Sequence, residues 1–320
     1  MRIVVIGSGL AGVTVADALG KEHEVSLVTA EAHGYYSRPR LSHGFSSDAR
    51  VVLKTFDALA PVKVFSGRPV TWIDRENQRV EFEAQESLGY DILILATGSA
   101  ARIPPVLLPF RPQFHTLNSL DDLLTLRNRR AKALAAGRKP RWAIIGGGLI
   151  GCEIASDLNK AGDSVSVFQR EDRLLELQLD AAQSQSLHQH FTQLGIALYY
   201  RQDVREIFPR TLFDGVIVST GFAPRVELAR DAGLETARGI VVNDFLRTAD
   251  RAIYAVGDVA QIGGRLYPFV APIRSQALWL ANHIAQRTET PWQPPAFNPA
   301  VKIHGWNAAD VQRHAVAVRA

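Results

Sequence analysis

Cysteine is nearly absent: Cys152 is the one cysteine among 320 residues. A lone thiol excludes an internal disulfide and a C-x-x-C redox pair. Long apolar runs are missing too, since none approaches the ~20 residues a membrane-spanning helix needs. The N-terminus opens directly on a strand, without the charged and apolar regions of a secretory leader. The expectation is a cytoplasmic protein with no membrane span. There is little excess charge, +4 with 21% charged residues, so no nucleic-acid partner is expected. Basic residues do bunch in Arg127–Arg141. That stretch is either a solvated helix and linker or a face for an acidic protein partner. The hydrophobic fraction of 47% is enough for ordinary cores, and the length suggests about two domains.

Glycine is placed with a pattern. Residues Ile3–Ile6 form an apolar run that breaks into Gly7-Ser8-Gly9-Leu10-Ala11-Gly12. This is G-x-G-x-x-G at a strand-to-helix junction. Gly7 allows a tight turn, Gly9 lets backbone approach a pyrophosphate, and Gly12 lets the helix pack on the strand. The N–H groups of Leu10 and Ala11 then face the anion at the helix N-terminus. One such match is weak evidence. A second copy strengthens it, because Gly146, Gly148 and Gly151 in WAIIGGGLIG repeat Gly7, Gly9 and Gly12 at one constant offset, with Leu149 and Ile150 in the donor positions. Two α/β Rossmann-like dinucleotide folds in one chain are expected.

Along the chain, Glu24–Val28 is the second strand, and its end should carry an acid for an adenosine ribose. Thr29 and Glu31 are both within reach. Arg38-Pro39 places a fixed cation in extended backbone where a bound nucleotide would project its far end. Val70–Asp74 and Gln78–Glu83 form a hairpin. Tyr90–Leu95 is a buried strand ending in Ala96-Thr97-Gly98, small residues that suit a ligand crevice. Pro104, Pro105, Pro109 and Pro112 mark a linker. Ser119 can N-cap the next helix. In the second fold Val165–Phe168, Ile196–Tyr200 and Phe213–Ser219 are strands, and Asp180–Leu194 is a helix. The stretch from Tyr199 to Asp214 is much shorter than that from Val64 to Asp91, so the second copy has room for little of the hairpin insert. Short strands return over Ile240–Asp258, with Asp258 beside Gly257, and Pro272–Thr288 is a helix.

GSGLAG, the ATG of Ala96–Gly98, GGGLIG, STGFAPR at Ser219–Arg225 and TADRAIYAVGDVA at Thr248–Ala260 come in one order. In that order the chain resembles the two-dinucleotide flavoprotein reductases, the pyridine nucleotide-disulfide oxidoreductase superfamily without its redox disulfide. The likeness spans about residues 1–290. Thr29–Ser42, Gly148–Glu153 and Val301-Lys302 look most like rubredoxin and flavorubredoxin reductases. The resemblance implies two glutathione-reductase-type domains, the NAD(P) domain inserted in the FAD domain. FAD would take 1–110 and 238–290, NAD(P)H would take 111–237, and 291–320 would be a residual tail where the family continues into a C-terminal interface domain.

The resemblance also implies site residues. Gly7, Gly9, Leu10, Ala11, Gly12, Thr29, Glu31, Arg38, Ala96, Thr97, Gly98, Gly257, Asp258 and Lys302 would hold FAD. Gly146, Gly148, Leu149, Ile150, Gly151, Glu153, Gln169, Arg170 and Gly221 would hold the nicotinamide nucleotide. Arg38 and Glu153 would be the catalytic pair, keeping fixed charge near flavin N5 where hydride arrives. Gln169 stands where an acid would read a 2′-hydroxyl, and Arg170 follows, which tilts the reading toward NADPH over NADH. Cys152 is expected to be a buried packing residue. His188 and His190 do not share a helix face, so no metal site is expected. His33, His43 and His304 are polar loop histidines by default, with His304 and Trp306 in the tail expected to cross the flavin pocket. The implied function is FAD-dependent transfer of hydride from NADH or NADPH to flavin, then of electrons to an acidic rubredoxin-like carrier. Two alternatives stand beside it: a flavin oxidase or dehydrogenase acting on a small molecule in a biosynthetic or degradative pathway, and a nucleotide-binding protein with an assembly role.

Overall fold

Apolar β-branched runs read as parallel strands buried on both faces, and the computed structural model places them in two parallel sheets, buried at the centre and partly exposed at the edge strands Lys63–Phe65 and Ala197–Tyr200. In chain order they are β1 (Arg2–Ile6), β2 (Glu24–Val28), β3 (Lys63–Phe65), β4 (Ile92–Leu95), β5 (Arg141–Ile145), β6 (Ser164–Gln169), β7 (Ala197–Tyr200), β8 (Gly215–Val218) and β9 (Ile253–Ala255). The helices are α1 (Leu10–Leu19), α2 (Leu120–Ala135), α3 (Leu149–Lys160), α4 (Ala181–Gln193), the short α5 (Glu227–Asp231) and α6 (Val270–Ile284). The structure describes residues 1–45, 51–83, 86–203, 205, 207–208, 212–297 and 301–309.

The chain divides into two compact units. The first is Met1–Ser37, Val52–Ala100 and Ala223–Asn298, and the second is Arg38–Val51, Ala101–Phe222 and Pro299–Ala320. In the first, the sheet order is β9-β4-β1-β2-β3. β1 lies in register between β2 (Ile3 opposite Val25) and β4 (Ile3 opposite Ile92), all parallel. The strand order reverses at β1, which puts a crevice beyond its C-terminal end. Ile3 and Val5 are fully buried. α1 packs against α6. The expected hairpin is present and gains a third antiparallel strand, Ser87–Gly89, beside Arg79–Phe82.

In the second unit the order is β7-β6-β5-β8, again parallel, with β5 between β6 and β8. The fully buried Trp142 of β5 lies opposite Gly215, where a Cβ would come within 2.4 Å of the indole, so glycine makes room for the ring. α2 starts on a complete capping box in which Ser119 and Asp122 satisfy each other's backbone donors.

Two local expectations fail. The proline-rich segment is not an open linker: Pro105–Gln113 is a 3-10 helix that buries Leu107. Proline's fixed φ and missing donor suit that helix, and Phe110 stacks on Phe208 at 4.5 Å to hold it down. Arg38 is not extended either. Arg38–Arg40 is a 3-10 turn closed by the Leu41 N–H on the Arg38 carbonyl, with Pro39 fitting the first central position.

The basic stretch is partly internal. Arg130 makes a double hydrogen bond to Asp163, which is buried and also accepts from the Trp142 indole. Arg138 pairs with Asp214. Arg130 is largely buried and Arg138 half exposed, and each ties the α2 region to the β5 sheet.

Candidate functional site

Two glycine loops share one geometry. Gly7 has a φ of +111°, and a Cβ there would fall 2.2 Å from the Ala96 carbonyl oxygen. Gly146 has a φ of +113°, and its Cβ would fall 2.5 Å from the Ser219 carbonyl oxygen. Side chains are excluded twice over, by the left-handed backbone and by the adjacent strand end. Gly12 and Gly151 touch the loops from the helix side, where a Cβ would lie 1.8 and 1.9 Å from the carbonyl oxygens of Gly7 and Gly146.

The helices behind these loops are left open. α1 begins after Gly9 and α3 after Gly148, with no side-chain cap and no acid in the first turn. By contrast, α2 and α4 are both closed by capping boxes. The first-turn donors of α1 (Leu10, Ala11) and of α3 (Leu149, Ile150) are therefore available to an anion. Space over Gly148 is empty, with no atom within 4 Å of a built Cβ. Each loop thus fits a pyrophosphate, one in each unit.

Around the first loop the structure separates residues that the sequence left level. Thr29 is buried; its hydroxyl meets Ser8 Oγ at 2.9 Å and accepts from the Glu31 N–H. Thr29 therefore organises the loop through its hydroxyl. The Thr97 hydroxyl is also committed, donating to the Arg225 carbonyl. Asp258 receives a hydrogen bond from Ser99 Oγ at 2.8 Å. Next to it Gly257 has a φ of +87° and donates its N–H to Gln276 Oε1. Gln276 is fully buried, and its Nε2 has no hydrogen-bond partner. Ser8, Ser99 and Gln276 escaped the sequence reading. For Gln276 the signal existed: a lone amide among the core positions of the apolar helix VAPIRSQALWLANHI.

Around the second loop Gln169 is buried and fully used. Its Oε1 accepts from the Gly147 N–H at 2.8 Å, and its Nε2 donates to Glu176 Oε2 at 3.0 Å. It braces the loop and is not available to read a ribose. Arg170 projects into solvent with its side chain 91% exposed, paired to Glu171 at 2.6 Å. Gly221, with a φ of +103°, accepts from the Arg102 N–H through its carbonyl.

Glu153 follows Cys152 on α3. Cys152 is fully buried with Sγ on the Gly147 carbonyl, and burial raises its pKa, so it is a packing thiol as expected. Burial likewise pushes the Glu153 carboxyl up to about 7, against the opposing pull of the Lys302 charge and N–H. Lys302 meets Glu153 through its backbone, at 3.3 Å. His188 is tied to the Tyr200 hydroxyl and His190 to the His304 carbonyl. Among the described residues no cluster of His, Cys, Asp or Glu could hold a metal. A cleft of about 620 Å³ beside α4 is lined by Asp172, Arg173, Ser184, His188 and Tyr200, none of them from the glycine loop. No helix of the described residues is long and apolar enough to cross a membrane.

Comparison with known proteins agrees with this pair of cradles. The family described as pyridine nucleotide-disulphide oxidoreductase matches residues 1–281. The chain is 34% identical to the nitric oxide reductase FlRd-NAD(+) reductase of Klebsiella pneumoniae (strain 342), over 91% of this chain and 81% of that one. It is 30% identical to the assimilatory nitrate reductase electron transfer subunit of Bacillus subtilis (strain 168); the match takes in 97% of this chain but spans only 43% of that subunit. Among solved structures, NADH:rubredoxin oxidoreductase from Clostridium acetobutylicum superposes with a TM-score of 0.84 at 27% identity, covering 95% of this chain and 80% of that one.

Proposed function

Because the chain belongs to the pyridine nucleotide-disulphide oxidoreductase family, we propose that it is an FAD-dependent NAD(P)H oxidoreductase delivering electrons to a rubredoxin-like carrier. The observation that carries this reading is the matched pair of open helix N-termini behind glycine cradles, one in each unit. FAD is assigned to 1–110 and 238–290, NAD(P)H to 111–237, and 291–320 to a tail. Bound FAD supplies a centre that accepts a hydride and releases electrons singly.

The chain's own residues then have separable tasks. Gly7, Gly9 and Gly12 admit the flavin pyrophosphate, with Leu10 and Ala11 donating to it. Glu31 accepts from the adenosine ribose, and Asp258, oriented by Ser99, accepts from the ribitol chain. Ala96 and Gly98 line the crevice at the end of β4. Gln276 holds the Gly257 turn next to Asp258 by accepting the Gly257 N–H. Gly146, Gly148 and Gly151 repeat the cradle for the nicotinamide nucleotide. Arg38 and Glu153 keep charge at the reacting end. Cys152 is too deeply buried to relay electrons as a thiolate, so electrons leave directly for an outside carrier. The Klebsiella and Clostridium relatives, named for flavorubredoxin and rubredoxin, support that choice. A cytoplasmic location, where reduced nicotinamide nucleotides are made, belongs to the same proposal.

Both nucleotides fit the second cradle. With Gln169 spent on the loop, the adenosine end meets Arg170 and Glu171: the cation suits a 2′-phosphate and the carboxylate suits a 2′-hydroxyl. The test is anaerobic mixing of the purified yellow protein with NADH and NADPH separately, followed by rubredoxin. Flavin bleaching by either nucleotide and reoxidation by rubredoxin are expected. Protein that carries no flavin, or flavin that neither nucleotide bleaches, would overturn the assignment. Bleaching by a small organic substrate without nicotinamide would favour an oxidase or dehydrogenase instead.

A further inference from the structure

One stripe of α3 is occupied by a segment far along the chain. Glu153, Ser156, Asp157 and Lys160 stand at i, i+3, i+4 and i+7, so they share one helix face. Lys302 gives its N–H to Glu153 Oε1 at 3.3 Å, and His304 gives its N–H to Ser156 Oγ at 2.9 Å. His304 Nε2 lies 2.6 Å from Asp157 Oδ1, and Nδ1 lies 3.5 Å from Lys160 Nζ. α4 grips the same turn from its other side. His190 Nε2 meets the His304 carbonyl at 2.8 Å, and the Trp306 indole donates to Ser186 Oγ at 3.1 Å.

All four polar atoms of His304 have protein partners, whereas a chain segment merely lying on a surface leaves most of its polar atoms to water. Ile303 is buried, and Ile303 and Trp306 form an antiparallel bridge that closes the turn. Asp157 is shielded at the centre of the contact, with its side chain 9% exposed and the His43 ring 3.8 Å away.

We propose that residues 301–306 form a clasp over Glu153 and that His304 is its positioning residue, fastened by Asp157 so that the Lys302 N–H is delivered to the Glu153 carboxylate. This rests on the reading of Glu153 as the acid beside the nicotinamide, but the clasp itself can be tested without that role. Lys302 and Asp157 are the charged groups that bear on Glu153 in this contact, and His304, His43 and Lys160 bear on Asp157. The clasp governs how much water reaches Glu153. Burial is the largest influence on its titration, and the Lys302 N–H a smaller, opposite one. Unfastening the turn therefore moves the midpoint down, toward the ordinary carboxyl value.

The experiment compares the wild type with His304→Ala and His304→Gln. Hydrogen exchange of the 301–306 amides, followed on holoprotein, reports the clasp alone. Loss of protection by tenfold or more is expected in His304→Ala and a smaller loss in His304→Gln, which keeps a side-chain donor. The pH profile of nicotinamide-driven flavin reduction reports Glu153, and its acidic limb is expected to shift down by about half a pH unit or more in His304→Ala. Unchanged exchange would overturn the clasp. Faster exchange with an unmoved pH profile would overturn the link to Glu153. If Glu153→Gln leaves the wild-type profile unaltered, the fault lies in the catalytic reading of Glu153, and the exchange result still decides the clasp.

Discussion

Ionising Glu153 works against the fold. Burial raises its pKa from 4.5 to about 7, so the native state holds a proton that the unfolded chain releases between those values. The stabilisation is complete below pH ~4.5 and is lost as pH rises through ~7. Glu153→Gln, which is always neutral, is expected to flatten the fall of the denaturation midpoint across that window, checked by urea melts at pH 4.5, 6 and 8. At Gly7 two costs coincide, a left-handed backbone and a carbonyl oxygen where a Cβ must go. Gly7→Ala is expected to lose ~1–3 kcal/mol of stability from backbone strain alone and to purify with little or no yellow absorbance. The glycines were legible in the sequence because their spacing is a local property. That the Thr29 hydroxyl is spent on the loop was not, since it depends on Ser8, which meets Thr29 only once β1 and β2 pair. Gln169 is a similar case. Its place after β6 could be read, but its bond to Gly147 required the folded loop.

At the scale of elements, the strands and helices follow from local patterns, and the misreadings come where proline dominates. Proline punctuation announces a break in α-helix or sheet, yet it is compatible with the 3-10 helix at Pro105–Gln113 once Leu107 and Phe110 find apolar partners. The basic run Arg127–Arg141 is largely the solvated helix and linker that the sequence leads one to expect, but Arg130 and Arg138 also pair with acids, Asp163 and Asp214, that lie outside it in the chain. Asp163 joins Arg130 to the Trp142 indole at the base of the β5 sheet. Asp163→Ala strands a cation and an N–H in a largely buried place. The expected cost is ~3–5 kcal/mol in a denaturant melt. Replacing both partners together, Asp163→Leu with Arg130→Met, is expected to cost much less than the single change, because no charge is left unpaired.

At the scale of the molecule, two cradles in two units make stability depend on ligand. Bound FAD at a hundredfold excess over its Kd adds ~2.7 kcal/mol to the state that binds it. Stripping the flavin is therefore expected to lower the thermal midpoint by ~5–10 °C, at ~2–4 °C per kcal/mol for a unit of this size, and adding FAD back is expected to restore it; calorimetry of both forms checks this. By itself the sequence determined the α/β class, the two dinucleotide cradles, the lack of a redox disulfide and the family, because each rests on residue types at short fixed spacings. Only the tertiary structure decided which polar groups are spent on the fold: Gln276 on the Gly257 turn, Gln169 and Thr97 on their loops, and Glu153 met by the Lys302 N–H. The reason is physical. A side chain's availability depends on its neighbours in space, and those neighbours here come from segments that chain order keeps apart.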